Sequence, residues 1–230
     1  MIVGVIVLSR FDSSRLPGKA LKLVNGKPII QYVLERAMRV EGAADVVLAT
    51  SGRAVDDVIA AYGTQNNIDV FRGEADDVAH RFLKCMERSG WDAAIRVNGD
   101  SPLHSQTFLT EGMETFSACE ADLITNVYPR SYPIGMTVEI VSRKALRSAY
   151  KKMIKATSHE HITEYFYENS ADYKIVALPR NSLDHSKIRL AVDTQKDLDR
   201  FNWILNRLGE DYLKADYEKI IDLYKYYEGR

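Results

Sequence analysis

Three cations crowd one short segment near the start of this 230-residue chain: Arg10, Arg15 and Lys19, within Ser9-Arg10-Phe11-Asp12-Ser13-Ser14-Arg15-Leu16-Pro17-Gly18-Lys19. Arginine offers planar forks to phosphate oxygens, and lysine a mobile point charge. Ser13 and Ser14 add hydroxyl donors, and Gly18 lets backbone approach an anion closely. That set suits a polyphosphate. It is not a Walker-type loop, because Gly18-Lys19 and Gly26-Lys27 are each followed by the wrong residue and lack the upstream glycine. Read alone, the segment is equally a solvated basic loop.

Two carboxylates give such a loop something to work with. Asp100 lies in Asn98-Gly99-Asp100-Ser101-Pro102, directly after an apolar run, where it can hold Mg²⁺ against phosphate oxygens or simply stabilise a turn. Asp193 follows the run Ile188–Val192 and precedes Thr194, a good helix cap with Asp197 in the box position. If the two runs are neighbours, both carboxylates can share one metal; otherwise Asp193 serves the helix dipole. Arg72 and Asp77, in Arg72-Gly73-Glu74-Ala75-Asp76-Asp77, either contact a nucleotide or favour a helix start. His159-Glu160-His161 is not read as a metal site: residues two apart on a helix diverge, and HExxH is missing. His161 can still meet a substrate, and Arg130, Tyr132 and Pro133 form a loop able to cover a sugar. Tyr165, Phe166 and Tyr167 read as core and interface aromatics.

The elements that must position these groups alternate. Strands are expected at Ile2–Leu8, Asp45–Thr50, Ile68–Phe71, Ala93–Val97, Asp122–Asn126, Thr137–Ser142, Tyr173–Leu178 and Ile188–Val192. Helices are expected at Ile29–Arg39, Val55–Tyr62, Asp76–Arg88, Ser105–Cys119, Arg143–Lys152, Glu160–Glu168, Thr194–Leu208 and Tyr217–Tyr226. The third helix should turn Val78, Phe82, Cys85 and Met86 inward, and Thr157-Ser158-His159-Glu160 should cap the sixth. The pattern predicts an α/β fold: three layers, a mostly parallel sheet and helices on both faces. The length suits one domain, 1–230, with residues 127–170 as an insertion for an acceptor pocket or dimer contact. A net charge of −1 gives no bulk attraction for nucleic acid or an anionic membrane. Two distant cysteines form no disulfide framework, which suits a cytoplasmic protein, and no segment reads as a signal or membrane span.

Five motifs together resemble the cytidylyltransferases that make CMP-activated acidic sugars, a group that includes 3-deoxy-manno-octulosonate cytidylyltransferase and CMP-sialic acid synthetase. The spore-coat polysaccharide branch is nearest. Ser9-Arg10 … Ser14-Arg15-Leu16-Pro17-Gly18-Lys19 is similar to the family's opening, and Gly73–Val78 with Arg81-Phe82 to "GxxDDVxxRY". Arg96–Leu103 resembles "RxTxDxPL", Glu160–Thr163 with Tyr167–Asn169 "EHVTPYIYEN", and Arg189–Thr194 with Asp197-Leu198 "RLTVDTxEDL". The order is the family's, from near residue 2 to near residue 200.

The resemblance implies a GT-A-like nucleotidyltransferase fold, CTP as donor, Mg²⁺ as cofactor, a homodimer, and transfer of CMP to a sugar or acidic sugar with pyrophosphate released. It puts Arg10, Arg15 and Lys19 on the triphosphate, Asp100 and Asp193 on the metal, and the backbone of Leu8 and Ser9 against cytosine. Lys19, Arg10 and Asp100 are the expected catalytic residues. Ser14, Arg72, Asp77 and Asn98 complete the nucleotide set, and Arg130, Tyr132, Glu139 and His161 the acceptor set. One segment departs: where the branch has "PDGLDVE", this chain has Pro133-Ile134-Gly135-Met136-Thr137-Val138-Glu139, so Ile134 and Thr137 lack its carboxylates. Glu164 also stands where the branch often has proline. The rival expectations are a glycosyltransferase of related fold, disfavoured because Asn98-Gly99-Asp100 has one carboxylate rather than a DxD, and a non-catalytic nucleotide-binding partner.

Overall fold

The computed structural model describes residues 1–13, 15–179 and 183–229. Nine strands are present among them: β1 Val3–Leu8, β2 Leu23–Val24, β3 Lys27–Pro28, β4 Val46–Ser51, β5 Asp69–Gly73, β6 Ala93–Asn98, β7 Leu123–Thr125, β8 Glu139–Ser142 and β9 Ile175–Ala177. β2 and β3 form a small hairpin, and the other seven form one sheet in the order β5-β4-β1-β6-β8-β7-β9. β8 runs antiparallel to both neighbours, and every other pairing in this sheet is parallel. Strand order reverses direction beside β1: the chain proceeds outward to β4 and β5, then returns to place β6 on the other side. In open α/β sheets the crevice outside the carboxyl ends at such a switch point is where ligands bind.

The central strands are continuous apolar runs because both faces are covered. Val3, Val5 and Val7 of β1 join a cluster with Ile30, Val33, Leu34 and Ala37 of α1 (Ile29–Ala37). α2 (Asp57–Gln65) adds Ile59 to this layer. Ile6 faces the other way, into a cluster with α3 (Val78–Ser89), which turns in Val78, Phe82, Cys85 and Met86 as expected. α4 (Gln106–Ala118) joins the first layer through Leu109, Met113 and Phe116; α5 (Arg143–Tyr150) joins the second through Ala145, Leu146 and Ala149. Burying each of the Val, Leu, Ile, Phe and Met side chains among them is worth roughly 1.5–3 kcal/mol. A third cluster is built by α8 (Gln195–Leu208) and α9 (Tyr217–Glu228) against Tyr32, Leu103, Leu190 and Val192.

Three expectations need correction. The helix expected over Ile29–Arg39 ends at Ala37, so Met38 caps it and is half exposed. The helix expected over Glu160–Glu168 is two short ones, α6 (Ala156–Glu160) and α7 (Glu164–Glu168), and Thr157 lies inside α6 rather than capping it. The run Ile188–Val192 is not a sheet strand. It makes one isolated bridge to Ile134, and Val192 N–H donates to the Asp100 carbonyl at 2.8 Å. Its apolar side chains are satisfied by the third cluster, so the sequence has the composition of a strand without a place in the sheet.

Candidate active site

The ends of β1 and β6 are adjacent: Leu8 is in register with Asn98, and Gly99 N–H donates to the Leu8 carbonyl at 2.8 Å. A Cβ on Gly99 would lie 2.7 Å from that of Ser9, so the two strand ends close only with glycine there. From Ser9 the chain folds back on itself. Gly18 N–H donates to the Phe11 carbonyl at 3.1 Å, with Gly18 in the left-handed region at φ +66°. Phe11 N–H is held at 2.7 Å by the buried carboxylate of Asp56, which Ser51 and Arg53 also bind. The loop therefore rests on a fixed anchor before it delivers Lys19 to a single turn of 3₁₀ helix, Lys19–Leu21.

The side chains meet in a cavity of about 430 Å³ at the switch point. Lys19 Nζ lies 2.6 Å from Asp100 Oδ2 and 2.9 Å from Asp193 Oδ1. Arg15 binds the same Asp193 oxygen at 2.9 Å, and Arg189 the other at 2.9 Å. Burial alone would lower the Lys19 pKa, but Asp100 and Asp193 outweigh it and hold the ammonium above its usual value. Asp193 reaches this point because its backbone N–H is fixed by Asp197, whose carboxylate forms the capping box with Thr194 at the start of α8. Arg10 is looser: it donates to the Ala75 carbonyl at 3.1 Å, while its ion pairs to Asp12, Asp76 and Glu160 are 3.9–4.0 Å long.

Of the residues expected at a nucleotide site, Leu8, Ser9, Arg10, Arg15, Lys19, Asn98 and Asp100 line this cavity, with Asp193 and His161. Ser14 lies outside the described residues. Arg72 and Asp77 are not in it. Arg72 donates to the Ser51 and Arg53 carbonyls and pairs with Asp57. Asp77 caps α3 and accepts from Tyr150 and His159. On the acceptor side, Tyr132 packs against Phe108 and Tyr217 and donates to the Pro179 carbonyl, away from the cavity. Arg130 reaches the Thr137 hydroxyl at 3.4 Å, the position where the family pattern has a carboxylate. Glu139 is buried beneath the cavity wall, where Arg96 binds it and Tyr167 donates at 2.7 Å. Burial would raise the Glu139 pKa, but the Arg96 charge and hydrogen bonds from Thr163, Tyr167 and Arg96 hold it below the usual range.

The sequence reading missed Arg81 and Arg96, which both line the cavity. Each left a signal. Arg81 occupies the buried stripe of α3, three residues after Val78, and Arg96 interrupts the apolar run of β6. A charge where the period demands an apolar group marks a partner or a site.

A metal can be tested against these donors. Two carboxylates converge on one point within hydrogen-bonding distance of a single ammonium. Hard oxygen donors in that number suit Mg²⁺ or Mn²⁺, which take one or two carboxylates and complete their shell with phosphates and water. No group of three or more ligating side chains is present among the described residues, so the protein alone would not saturate such an ion. The His159–His161 segment makes no metal cluster there; His159 binds Asp77 at 2.7 Å.

Comparison with known proteins gives one family. A family model described as cytidylyltransferase matches residues 4–229. The chain is 26% identical over 211 residues to the spore coat polysaccharide biosynthesis protein SpsF of Bacillus subtilis, covering 89% of this chain and 87% of that one. A solved cytidylyltransferase from Leptospira borgpetersenii superposes with a TM-score of 0.93 at 28% identity, covering 100% of this chain and 96% of the other. CMP:2-keto-3-deoxy-manno-octonic acid synthetase, solved in complex with CTP, superposes at 0.70 with 19% identity, covering 91% and 100%. At that identity the likeness is one of fold.

Proposed function

Because the chain belongs to the cytidylyltransferase family, we propose that it transfers CMP from CTP to a sugar or acidic sugar and releases pyrophosphate. The observation that carries this is the convergence of Lys19, Asp100 and Asp193 in one cavity at the β1–β6 switch point. Strand-end backbone at Leu8 and Ser9 faces the base. Arg10, Arg15 and Lys19 neutralise the triphosphate, and Lys19 exchanges its two carboxylates for phosphate oxygens when nucleotide enters. Asp100 and Asp193, freed of the ammonium, would hold Mg²⁺. When bound, the ion polarises the phosphate and lowers the pKa of an attacking hydroxyl.

The acceptor hydroxyl attacks the α-phosphorus in line with the departing pyrophosphate. Such transfer needs little covalent chemistry from the protein, so positioning and charge neutralisation dominate. We assign the acceptor end to the Arg96 and His161 side of the cavity, with Glu139 holding Arg96 from below and residues 127–170 shaping its wall. Arg130 beside Thr137 makes this end differ from the family pattern. The product fits glycan or surface polysaccharide assembly, as the name of the Bacillus relative suggests, and a cytoplasmic homodimer is the proposed setting. No helix among the described residues is long and apolar enough to cross a membrane.

The test is a pyrophosphate-release screen with CTP, Mg²⁺ and a panel of acidic sugars, using ATP, GTP and UTP as controls. Release confined to CTP supports the reading. Release confined to another nucleotide overturns it, and free nucleoside diphosphate from a nucleotide sugar would favour a glycosyltransferase.

A further inference from the structure

Arg81 is 1% exposed, yet it lines the cavity wall next to Arg10. One of its amino groups donates to the Glu74 and Ala75 carbonyls. Its Nε is buried with no partner among the described residues. Among the described residues every hydrogen-bond partner of its side chain is a neutral carbonyl oxygen. The carboxylates its charge feels, Asp56 and Asp77, are committed elsewhere: Asp56 to Phe11, Ser51 and Arg53, and Asp77 to His80, Tyr150 and His159. Burial, then the Arg10 charge, push the Arg81 pKa down to about 10, so the group remains a cation at neutral pH.

Arg10 donates to the same Ala75 carbonyl at 3.1 Å, and its own ion pairs are no shorter than 3.9 Å. Two guanidiniums thus share one neutral oxygen at the edge of a cavity. A buried charge left without a counter-ion is costly, and folds retain one where a ligand supplies the missing charge. Arginine's fork matches phosphate oxygens in particular.

We propose that Arg81 is a nucleotide-binding residue that, together with Arg10, seats one phosphoryl group of the bound triphosphate against the α3 wall of the cavity. The inference rests on the CTP reading above and extends its binding set. It also gives Arg81 two tasks: one amino group fixes the loop at residues 74–75, and the other amino group is assigned to the anion. A merely structural Arg81 would perform the first task alone.

Binding, rather than turnover, separates these roles. Wild type, Arg81→Gln and Arg81→Lys are titrated with CTP in Mg²⁺, with tripolyphosphate and with cytidine, and circular dichroism and melting confirm the fold. Arg81→Gln should weaken CTP and tripolyphosphate by about tenfold or more and leave cytidine within about twofold, because only the charged fork is lost. Arg81→Lys keeps the charge without the fork and should lose less; it carries the test if the glutamine variant does not fold. Unchanged tripolyphosphate affinity in a folded variant overturns the phosphate seat, as does an equal loss for cytidine. Wild type that binds CTP alongside unaffected variants keeps the CTP reading and removes this inference. Tripolyphosphate binding that depends on Arg81 in a protein that ignores CTP does the reverse.

Discussion

Two ion-pair clusters stand on either side of the β6 strand end, and they are built for opposite purposes. In one, Lys19 bridges Asp100 and Asp193 in an open cavity, with Arg15 and Arg189 competing for the same carboxylate. In the other, Glu139 is 2% exposed and takes Arg96 and Tyr167, with further help from Thr163. The first cluster has excess cations facing solvent, so its partners can be exchanged for phosphates. In the second the carboxylate is closed off and saturated, and only Arg96 reaches the cavity, so its pairing can only be broken at a cost. Exchangeability, rather than the number of ion pairs, is what distinguishes the two clusters.

The comparison breaks most sharply at Asp100. Asp100→Asn should leave the melting temperature within a few degrees and lower pyrophosphate release by about a thousandfold or more, as loss of a group acting on transition-state charge does. Lys19→Met should cost about 10²–10³-fold in turnover, close to one lost charge-stabilising donor, again in a folded protein. Normal turnover in Lys19→Met would put the lysine outside the chemistry.

The closed cluster should fail in the other currency. Glu139→Gln leaves the half-buried Arg96 without its carboxylate, and denaturant unfolding should show a loss of about 3 kcal/mol, the low end for breaking a buried pair because Arg96 reaches the cavity. Because the folded-state pKa of Glu139 is depressed, its stabilisation is present above the unfolded carboxylate value and is lost as pH falls through the folded one. The wild type should therefore lose stability in acid more steeply than Glu139→Gln.

His104 gives a second pH-sensitive contrast. Burial, then the adjacent Arg36 charge, depress its pKa to about 4. The unfolded chain takes up a proton near pH 6.5 that the folded one refuses. Stability should therefore fall between about pH 6.5 and 4, by as much as ~3 kcal/mol. His104→Leu should flatten that slope in denaturant titrations run across this range. The smallest effect is expected at Arg72, whose donors are held by Ser51, Arg53 and Asp57: Arg72→Ala should change the KM for CTP by less than about twofold.

The cavity-lining groups were legible where they sit at the ends of buried strands, because buried strands announce themselves as apolar runs. Asp100 could be placed from that rule and Lys19 from its loop after the first run; that the two meet is visible only once β1 and β6 are seen side by side. Asp193 was found for a partly wrong reason. Its run is extended and apolar, but it crosses the carboxyl ends of the sheet instead of joining it. The segment 156–168 was harder, because it is two short helices separated at His161, whose non-helical backbone local periodicity does not encode. Tyr132 misled for a related reason: an aromatic in a polar loop looks available, and here it closes the third core cluster. Arg81 and Arg96 were visible as charges on apolar faces, a signal that weighs more than any single cation in a basic loop.

The central claim is that the Lys19–Asp100–Asp193 cavity binds CTP. Calorimetric titration of wild type and Asp100→Asn with CTP, UTP, ATP and GTP in Mg²⁺ tests it directly. One CTP site on the wild type, favoured over the other three nucleotides and weakened in Asp100→Asn, is the predicted result. Absence of CTP binding, or binding that ignores Asp100 and the identity of the base, would contradict it.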